Sequence, residues 1–313
     1  MLKESLFYAK ILLFGEYGII QDSMGLSIPY SSFKGSLKFN QDLKGDSLIS
    51  NQHLEKFGNY INELSDSGEL LFSFDSAKFY SDLSDGMSFD SSIPQGFGVG
   101  SSGALVAAIY DRYSTDKIDF DKKPSSNQIA KLKSIFGQME SYFHGKSSGL
   151  DPLICYLNLP VLIKSKENMG TVGLPSANEN GKGAIFLINS GQPGKTEPMI
   201  NIFMEKMKNE GFRNMLRKEF KKYNDACIQS FLKRDIAPLF SNIKELSSLL
   251  LKNFSPMIPT VFHNLWKEGI ESNAYYLKLC GSGGGGYFLG FTQDIDEAQK
   301  RLKDYPLEVV FTF

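Results

Sequence analysis

The sequence predicts an α+β protein that forms one large or two medium-sized globular domains. Its 313 residues are 42% hydrophobic and 22% charged, which is enough apolar material for well-buried cores. Strand-like runs alternate with turns and helices in the first half, whereas residues 197–253 carry charged and apolar residues at helical spacing. Because the composition changes near residues 180–197, we expect two domains, residues 1–185 and residues 186–313.

In the first half, strands are predicted at residues 9–14, 25–30 and 35–40, where β-rich runs are bounded by Gly, Asp, Ser and Pro. A helix is predicted to begin near Ser102 and to end near Tyr110. A second, amphipathic helix is predicted over residues 125–145, with serine capping candidates before it. Its apolar residues recur at steps of three and four: Ile129, Leu132, Ile135, Phe136, Met139 and Phe143.

The second half is predicted to end in alternating strands and helices. Buried strands are predicted at residues 160–165 and 183–191, further strands at 275–281 and 307–313, and a closing helix near residues 295–305.

Net charge and cysteine content bear on partners and location. The net charge is −1, from 34 basic and 35 acidic residues, so nucleic acid is not indicated as a partner. Three widely separated cysteines without a C-x-x-C pair (Cys155, Cys227 and Cys280) predict buried, reduced thiols. The N-terminal segment has no 18-residue apolar run and no small-residue cleavage site. We therefore expect a cytoplasmic protein without a signal peptide or a membrane partner.

A glycine- and serine-rich stretch, PQGFGVGSSGA at residues 94–104, directly precedes the first predicted helix. A helix N-terminus exposes unpaired N–H groups, and glycines allow the main chain to approach a phosphate closely. Serine hydroxyls there add hydrogen-bond donors or an oxygen ligand for Mg²⁺. This pattern favours a cradle for nucleotide phosphates, although a turn with an ordinary serine cap is the commoner meaning of one such stretch. A Walker A loop is excluded because no lysine is present, and a protein-kinase glycine loop would lie between two strands.

A second glycine cluster, CGSGGGGYFLG at residues 280–290, formally satisfies G-x-G-x-x-G through Gly281, Gly283 and Gly286. A dinucleotide site needs that signature to begin a helix, whereas the residues that follow here favour a strand. We therefore predict a hairpin-like turn that brings bare main chain against a ligand or another loop.

Four separated segments, taken in order, resemble the motifs of the GHMP kinases, a family of small-molecule kinases. They are KILLFGEYGII (residues 10–20), PQGFGVGSSGA (94–104), ESYFHGKSSGLD (140–151) and KLCGSGGGGYFLG (278–290). Each motif is weakly specific by itself, and their order carries the resemblance. Within the family, the third segment is most similar to mevalonate kinases.

The resemblance implies a fold and a reaction. The fold is an N-terminal domain like ribosomal protein S5 that binds ATP, followed by a ferredoxin-like C-terminal domain, with ATP and acceptor in the cleft between them. The reaction is transfer of the γ-phosphoryl group of ATP, with Mg²⁺, to the hydroxyl of a small-molecule alcohol, with mevalonate as the expected acceptor. The oligomeric state stays open, a homodimer included.

The resemblance also implies roles for individual residues. Asp151 would be the base for the acceptor hydroxyl and Lys10 its cationic partner, while Ser102 and Glu140 would hold Mg²⁺. The nucleotide would be bound by Gly96, Gly98, Gly100, Ser101, Ser102 and Gly103. The acceptor would be bound by Glu16, Tyr17, Gly281, Ser282 and Gly283.

The residues alone leave simpler interpretations open. Lys10 interrupts an apolar strand, so its side chain either extends outward from an edge strand or points at anionic chemistry. Asp151 lies between a turn and an apolar run, which suits a helix cap as well as a base. Glu140 lies beside the apolar stripe of its helix, where partly exposed acids are common. His144 is expected to pack or to support the site and not to catalyse.

The match departs from the family pattern at four places. Residues 7–9 replace the usual Pro-Gly, Tyr17 replaces a histidine common in mevalonate kinases, Gly103 replaces an alanine, and Ser147 stands where proline is common. Gly-Glu-Tyr also occurs in phosphomevalonate kinases, so phosphomevalonate is the alternative acceptor.

A phosphorylated acceptor needs added cations, for which Lys146, Lys195 and Lys278 lie near motifs. A galactokinase is less favoured, since that subfamily usually has Arg in place of Lys10. A catalytically silent sensor is disfavoured because the expected metal ligands, Ser102 and Glu140, and the expected base, Asp151, are all present. A decarboxylase is disfavoured because Lys10 and Asp151 occur together.

Overall fold

The computed structural model describes residues 5–120, 123–165 and 168–313. These residues form two compact units that interleave along the chain. The first unit comprises residues 5–10, 29–94 and 100–159, and the second comprises residues 11–28, 95–99 and 160–313. The boundary expected after residue 185 stays a prediction. The first four residues of the N-terminal segment that was considered for a signal peptide lie outside the described residues.

Strands β1 (Phe7–Phe14) and β2 (Gly25–Phe39) contain residues of both units. Two separate strands were expected at residues 25–30 and 35–40, but β2 is continuous through Pro29. The partners explain this difference. Residues 35–39 pair with β3 (Met87–Ser91), and residues 25–27 pair with β4 (Val161–Ile163), so Pro29 lies between the two registers. A missing N–H breaks neither of these ladders there.

The first unit is completed by five helices. They are α1 (Asp46–Asp66), α2 (Ser76–Ser84), α3 (Ser101–Tyr113), α4 (Ser126–His144) and α5 (Leu150–Leu157). The predicted helices near residues 102–110 and 125–145 are confirmed as α3 and α4. Helix α4 begins with a capping box, in which Ser125 and Gln128 satisfy each other's main-chain N–H groups. Of the six residues in the apolar stripe predicted from the sequence, all but Phe143 are buried in α4, and Phe143 is half-buried.

The second unit is built on an antiparallel sheet with the strand order β7-β8-β6-β9. Its strands are β6 (Ala184–Asn189), β7 (Tyr276–Leu279), β8 (Tyr287–Thr292) and β9 (Leu307–Thr312), and β5 (Met169–Thr171) pairs separately with β4. The helices are α6 (Thr196–Lys206), α7 (Glu210–Met215), α8 (Lys221–Lys233), α9 (Ile236–Asn253), α10 (Thr260–Ser272) and α11 (Ile295–Arg301). A π-helical segment (Leu216–Phe220) joins α7 to α8, and 3₁₀ segments lie at Gly18–Gln21 and Ser255–Met257.

The α+β class is confirmed, as are the strands predicted in the second half. Among the described residues, the three cysteines form no disulfide, and their side chains are buried, as expected. Within the described ranges, no helix combines the length and the apolar character needed to cross a bilayer.

Candidate active site

Lys10 and Asp151 form an ion pair inside the first unit. The Lys10 Nζ lies 2.9 Å from Asp151 Oδ2, and Lys10 is only 2% exposed. Lys10 therefore does not extend outward into solvent. Asp151 lies in the first turn of α5 without capping it, because Gly149 occupies the N-cap position. Of the interpretations left open by the sequence, the structure favours a lysine that points inward. It pairs with a half-exposed carboxylate that does not cap α5.

The start of α3 lies directly against this pair. Gly100 is the N-cap of α3 and has φ +85°, a left-handed conformation that disfavours other residues. A Cβ at Gly100 would lie 2.8 Å from Lys10 Cγ. Residue 100 therefore favours glycine for two reasons. Its main chain is left-handed, and the Lys10 side chain fills the space that a Cβ would need. The N–H groups of the first turn of α3 and the Lys10 ammonium thus place positive charge in one region.

Ser102 and Glu140 meet beside that helix start. The Ser102 hydroxyl donates to Glu140 Oε1 at 3.1 Å, and Glu140 is only 4% exposed. Burial, followed by the negative charge of Asp151, raises the pKa of Glu140 well above its ordinary value. The interpretation of Glu140 as a partly exposed helix carboxylate is therefore wrong.

These oxygens fit a magnesium ion. Neighbouring ligand oxygens in an octahedral Mg²⁺ shell are about 2.9 Å apart, close to the spacing of Ser102 Oγ and Glu140 Oε1. The two carboxylates of Glu140 and Asp151 are balanced by one ammonium, so a dication would also reduce the electrostatic cost of burying Glu140. In the part of the chain that the structure describes, no three His, Cys, Asp or Glu side chains group into a metal centre. Mg²⁺ is usually held by one or two protein oxygens together with water and phosphate.

His144 contacts Ser102, and Ser147 contacts Glu140. His144 Nε2 lies 3.0 Å from Ser102 Oγ, and burial lowers the pKa of His144, which favours a neutral ring. The Ser147 hydroxyl donates to Glu140 Oε2. Sequence reasoning missed Ser147 as a site residue and noted it only as a departure from the family pattern. The one available signal in the sequence was that Ser147 lies three residues after the end of α4, on which Glu140 lies.

In the second unit, the two glycine-rich loops pack against each other. A Cβ at Gly98 would lie 2.5 Å from the Cys280 carbonyl oxygen, and one at Gly286 would lie 2.7 Å from Phe97 Cα. The Tyr287 N–H donates to the Phe97 carbonyl at 3.3 Å. The prediction that the second cluster brings bare main chain against another loop is confirmed. Strand β8 follows it, as the rejection of a dinucleotide motif required.

Glu16 and Lys278 form a buried ion pair in the same unit. Lys278 is fully buried and Glu16 is 3% exposed. Lys278 Nζ also donates to the Leu279 carbonyl at 3.0 Å. Burial lowers the pKa of the Lys278 ammonium to about 7, although the charge of the nearby Cys280 thiolate opposes that shift. Lys278 is thus committed to Glu16 and is not exposed to solvent as a cation for a phosphorylated acceptor.

Tyr17 follows Glu16 in a strained turn. Its φ of 50° and ψ of −33°, together with a hydrogen bond from the Gly18 N–H to the Glu16 carbonyl, describe a γ-turn of the rare, left-handed type. The Tyr17 hydroxyl donates to the Ser282 carbonyl at 2.7 Å. Its ring stacks on that of Phe203, with the two ring centroids 4.4 Å apart. The turn therefore joins the first motif to the last.

The predicted site residues fall into two groups. Lys10, Gly100, Ser101, Ser102, Gly103, Glu140 and Asp151 lie in the first unit, and Glu16, Tyr17, Gly96, Gly98, Gly281, Ser282 and Gly283 lie in the second. The first group is tightly assembled around the start of α3. The roles assigned to both groups stay predictions.

Gly103 gives a direct test of how closely α3 and α5 must approach. A Cβ at Gly103 would lie 2.8 Å from the Asp151 carbonyl carbon and the Pro152 nitrogen, both main-chain atoms. We expect Gly103→Ala, which restores the residue usual in GHMP kinases, to displace Asp151 and to lower kcat about 10-fold. Steady-state kinetics and thermal unfolding measure this.

Gly211→Ala is the matched control, because its Cβ would meet only a side-chain oxygen of Asn209, at 3.1 Å. That variant should leave kcat unchanged. Full activity in Gly103→Ala would show that the contact does not position Asp151.

Comparison with known proteins gives a consistent result. Residues 69–158 match the family model described as "GHMP kinases N terminal domain". No curated protein matches the chain in sequence. The family match covers α2, β3, α3, α4 and α5, and therefore contains Ser102, Glu140 and Asp151.

Solved structures resemble the chain along its whole length. L. major mevalonate kinase in complex with R-mevalonate has a TM-score of 0.64 at 15% identity, covering 100% of this chain and 97% of that one. Streptococcus pneumoniae phosphomevalonate kinase in complex with phosphomevalonate and AMPPNP has a TM-score of 0.64 at 13% identity, covering 100% and 99%. Lactococcus lactis galactokinase complexed with galactose has a TM-score of 0.66 at 12% identity, covering 99% and 94%. The fold implied by the sequence motifs is confirmed.

Proposed function

We propose that this chain, which carries a GHMP kinase N-terminal domain and has the GHMP kinase fold, transfers the γ-phosphoryl group of ATP to the 5-hydroxyl of mevalonate. The observation that carries the proposal is the pairing of Lys10 with Asp151 at the start of α3, next to the Ser102–Glu140 pair. An inward lysine, a partly exposed carboxylate and two hard oxygen ligands are the groups that phosphoryl transfer to an alcohol requires.

Asp151 accepts the proton of the acceptor hydroxyl as the new oxygen–phosphorus bond forms. The bond from the γ-phosphorus to the bridging oxygen breaks, and ADP leaves with that electron pair. Lys10 holds the Asp151 carboxylate in place through their ion pair and stabilises the negative charge that develops on the attacking oxygen. The main-chain N–H groups at the start of α3 hold the phosphates.

Ser102 and Glu140 are the residues that would hold Mg²⁺, which when bound neutralises charge on the phosphates. Their spacing and the burial of Glu140 support this assignment.

Mevalonate is favoured over other acceptors by the similarity of the third motif to mevalonate kinases. Phosphomevalonate is the second candidate because Gly-Glu-Tyr at residues 15–17 also occurs in its kinases. The enclosure of Lys278 by Glu16 removes one of the three cations considered for a phosphorylated acceptor. The burial of all three cysteines outside disulfides supports a reducing, cytoplasmic location.

Acceptor identity is tested by an assay that couples ADP release to a detectable signal, with mevalonate, phosphomevalonate, galactose and homoserine offered separately. We expect turnover that depends on Mg²⁺ and is highest with mevalonate. Turnover with another acceptor alone would move the assignment to that compound. ATP binding without turnover on any of the four would favour a silent sensor.

A further inference from the structure

The segment that follows α4 supplies a side chain that fixes Glu140 from the side away from Ser102. The Ser147 hydroxyl donates to Glu140 Oε2 at 2.5 Å, while Glu140 Oε1 faces the Ser102 hydroxyl at 3.1 Å. The two carboxylate oxygens thus have different partners. Only Oε1 is next to the second expected metal ligand.

Ser147 is itself held in place on two sides. Its oxygen accepts a hydrogen bond from the Gly149 N–H at 3.1 Å, and its own N–H donates to the Ser141 hydroxyl at 3.2 Å. A proline at this position, as is common in the family, has neither the hydroxyl nor the N–H that make these contacts. The contact to Glu140 is therefore a property of this chain's serine.

The number of oxygens that a carboxylate offers matters for the choice of cation. Mg²⁺ demands near-octahedral geometry and takes single carboxylate oxygens, whereas Ca²⁺ accepts six to eight ligands and often binds both oxygens of one carboxylate. A hydroxyl that occupies Oε2 opposes two-oxygen binding by Glu140. Partners of this kind, which orient a metal ligand, typically change metal affinity by about 10–100-fold when they are removed.

We propose that Ser147 is a positioning residue that makes Glu140 a one-oxygen ligand and thereby favours Mg²⁺ over Ca²⁺ at the nucleotide site. The inference rests on the proposed function, since it requires that nucleotide binds together with a metal ion. It names the cation preference of that site and the residue that sets it.

The test is calorimetric binding of ADP, measured without metal and over a series of Mg²⁺ or Ca²⁺ concentrations. For the wild type we expect both cations to strengthen ADP binding, with a lower half-saturating concentration for Mg²⁺. For Ser147→Ala, we expect the half-saturating Mg²⁺ concentration to rise about 10-fold and the preference for Mg²⁺ over Ca²⁺ to shrink. Metal-free ADP binding should be the same in both proteins. Complexes of ADP with each cation in solution are identical for every variant, so they cancel in the comparison.

Two further variants separate the hydroxyl from the shape of the side chain. Ser147→Thr retains the hydroxyl and should keep the wild-type preference for Mg²⁺ over Ca²⁺. Valine has nearly the same shape as threonine but no hydroxyl, so Ser147→Val should behave like Ser147→Ala. Ser147 lines an open surface depression with Ser141 and Ser148, so a methyl group has room. Ser148→Ala, one residue on and without a hydrogen bond to Glu140, is the matched control.

The outcomes are distinct. If the wild type binds ADP with a metal ion but Ser147→Ala and Ser147→Val keep its cation preference, the role of Ser147 is wrong and the proposed function stands. If the wild type binds no ADP under any condition, the proposed function fails and this inference fails with it. Thermal unfolding of each variant confirms that it is folded before binding is compared.

Discussion

Replacing Asp151 with asparagine is expected to lower the rate of phosphoryl transfer by about 10²–10⁴-fold while ATP still binds. Asparagine has nearly the same shape as aspartate but cannot accept the proton of the acceptor hydroxyl. The Lys10 ammonium, 2.9 Å away and almost fully buried, also loses its charged partner. Single-turnover transfer and calorimetric ATP binding, measured on the same protein, distinguish these effects.

Stability should fall less than activity in this variant. Removing one partner of a buried ion pair costs about 3–5 kcal/mol, but the Asp151 side chain is 37% exposed, so we expect a loss of about 1–2 kcal/mol. Asp111→Asn is the matched control, because Asp111 also pairs with a lysine, Lys117, at 3.2 Å, but lies near the C-terminal end of α3, away from the Gly100 end. That change should leave turnover intact. Near-normal turnover in Asp151→Asn would exclude Asp151 as the base.

Replacing Lys278 with methionine is expected to cause the largest loss of stability in the second unit. Both members of the Glu16–Lys278 pair are buried, so the variant leaves an uncompensated carboxylate in the interior. Breaking such a pair costs about 3–5 kcal/mol. In a chain of this size, that corresponds to a drop in Tm of roughly 10 °C.

The double variant Glu16→Met/Lys278→Met separates the effect of the buried ion pair on stability from an effect of Glu16 on acceptor binding. Apolar replacement of a whole buried pair is often neutral, so the double variant should recover most of the lost Tm. Lys208→Met breaks the exposed pair with Glu205 and should shift Tm by less than about 3 °C. An unchanged Tm in Lys278→Met would show that the buried pair does not stabilise the fold. If Glu16 also contacts the acceptor, as its motif implies, the double variant will show a raised acceptor KM despite its recovered stability.

The sequence predicted what local periodicity and capping determine. Helix α4 is an example, since Ser125 begins it and the same periodicity turns Glu140 inward. Helix α1 carried a similar signal, with Leu54, Phe57 and Ile61 at helical spacing, but its polar composition obscured it. The expected break in β2 at residues 31–34 was wrong because strand continuity depends on which partners lie alongside.

Contacts between distant parts of the chain were beyond the sequence alone. The burial of Lys10 depends on Gly100 and Asp151, which the fold brings beside β1. Glu16 and Lys278 were noted separately near the first and last motifs, and their pairing follows only from tertiary structure. The same holds for Ser147, whose hydroxyl gained meaning only when its partner on α4 was visible.

The contact between the two glycine-rich loops also has a consequence for how the protein is made. Residues 95–99 are synthesised long before their partners around Gly286 and Tyr287. Closing so long a stretch of chain is slow and comes late in folding. On the ribosome, the contact between the two loops should therefore form only after the residues around Tyr287 have emerged.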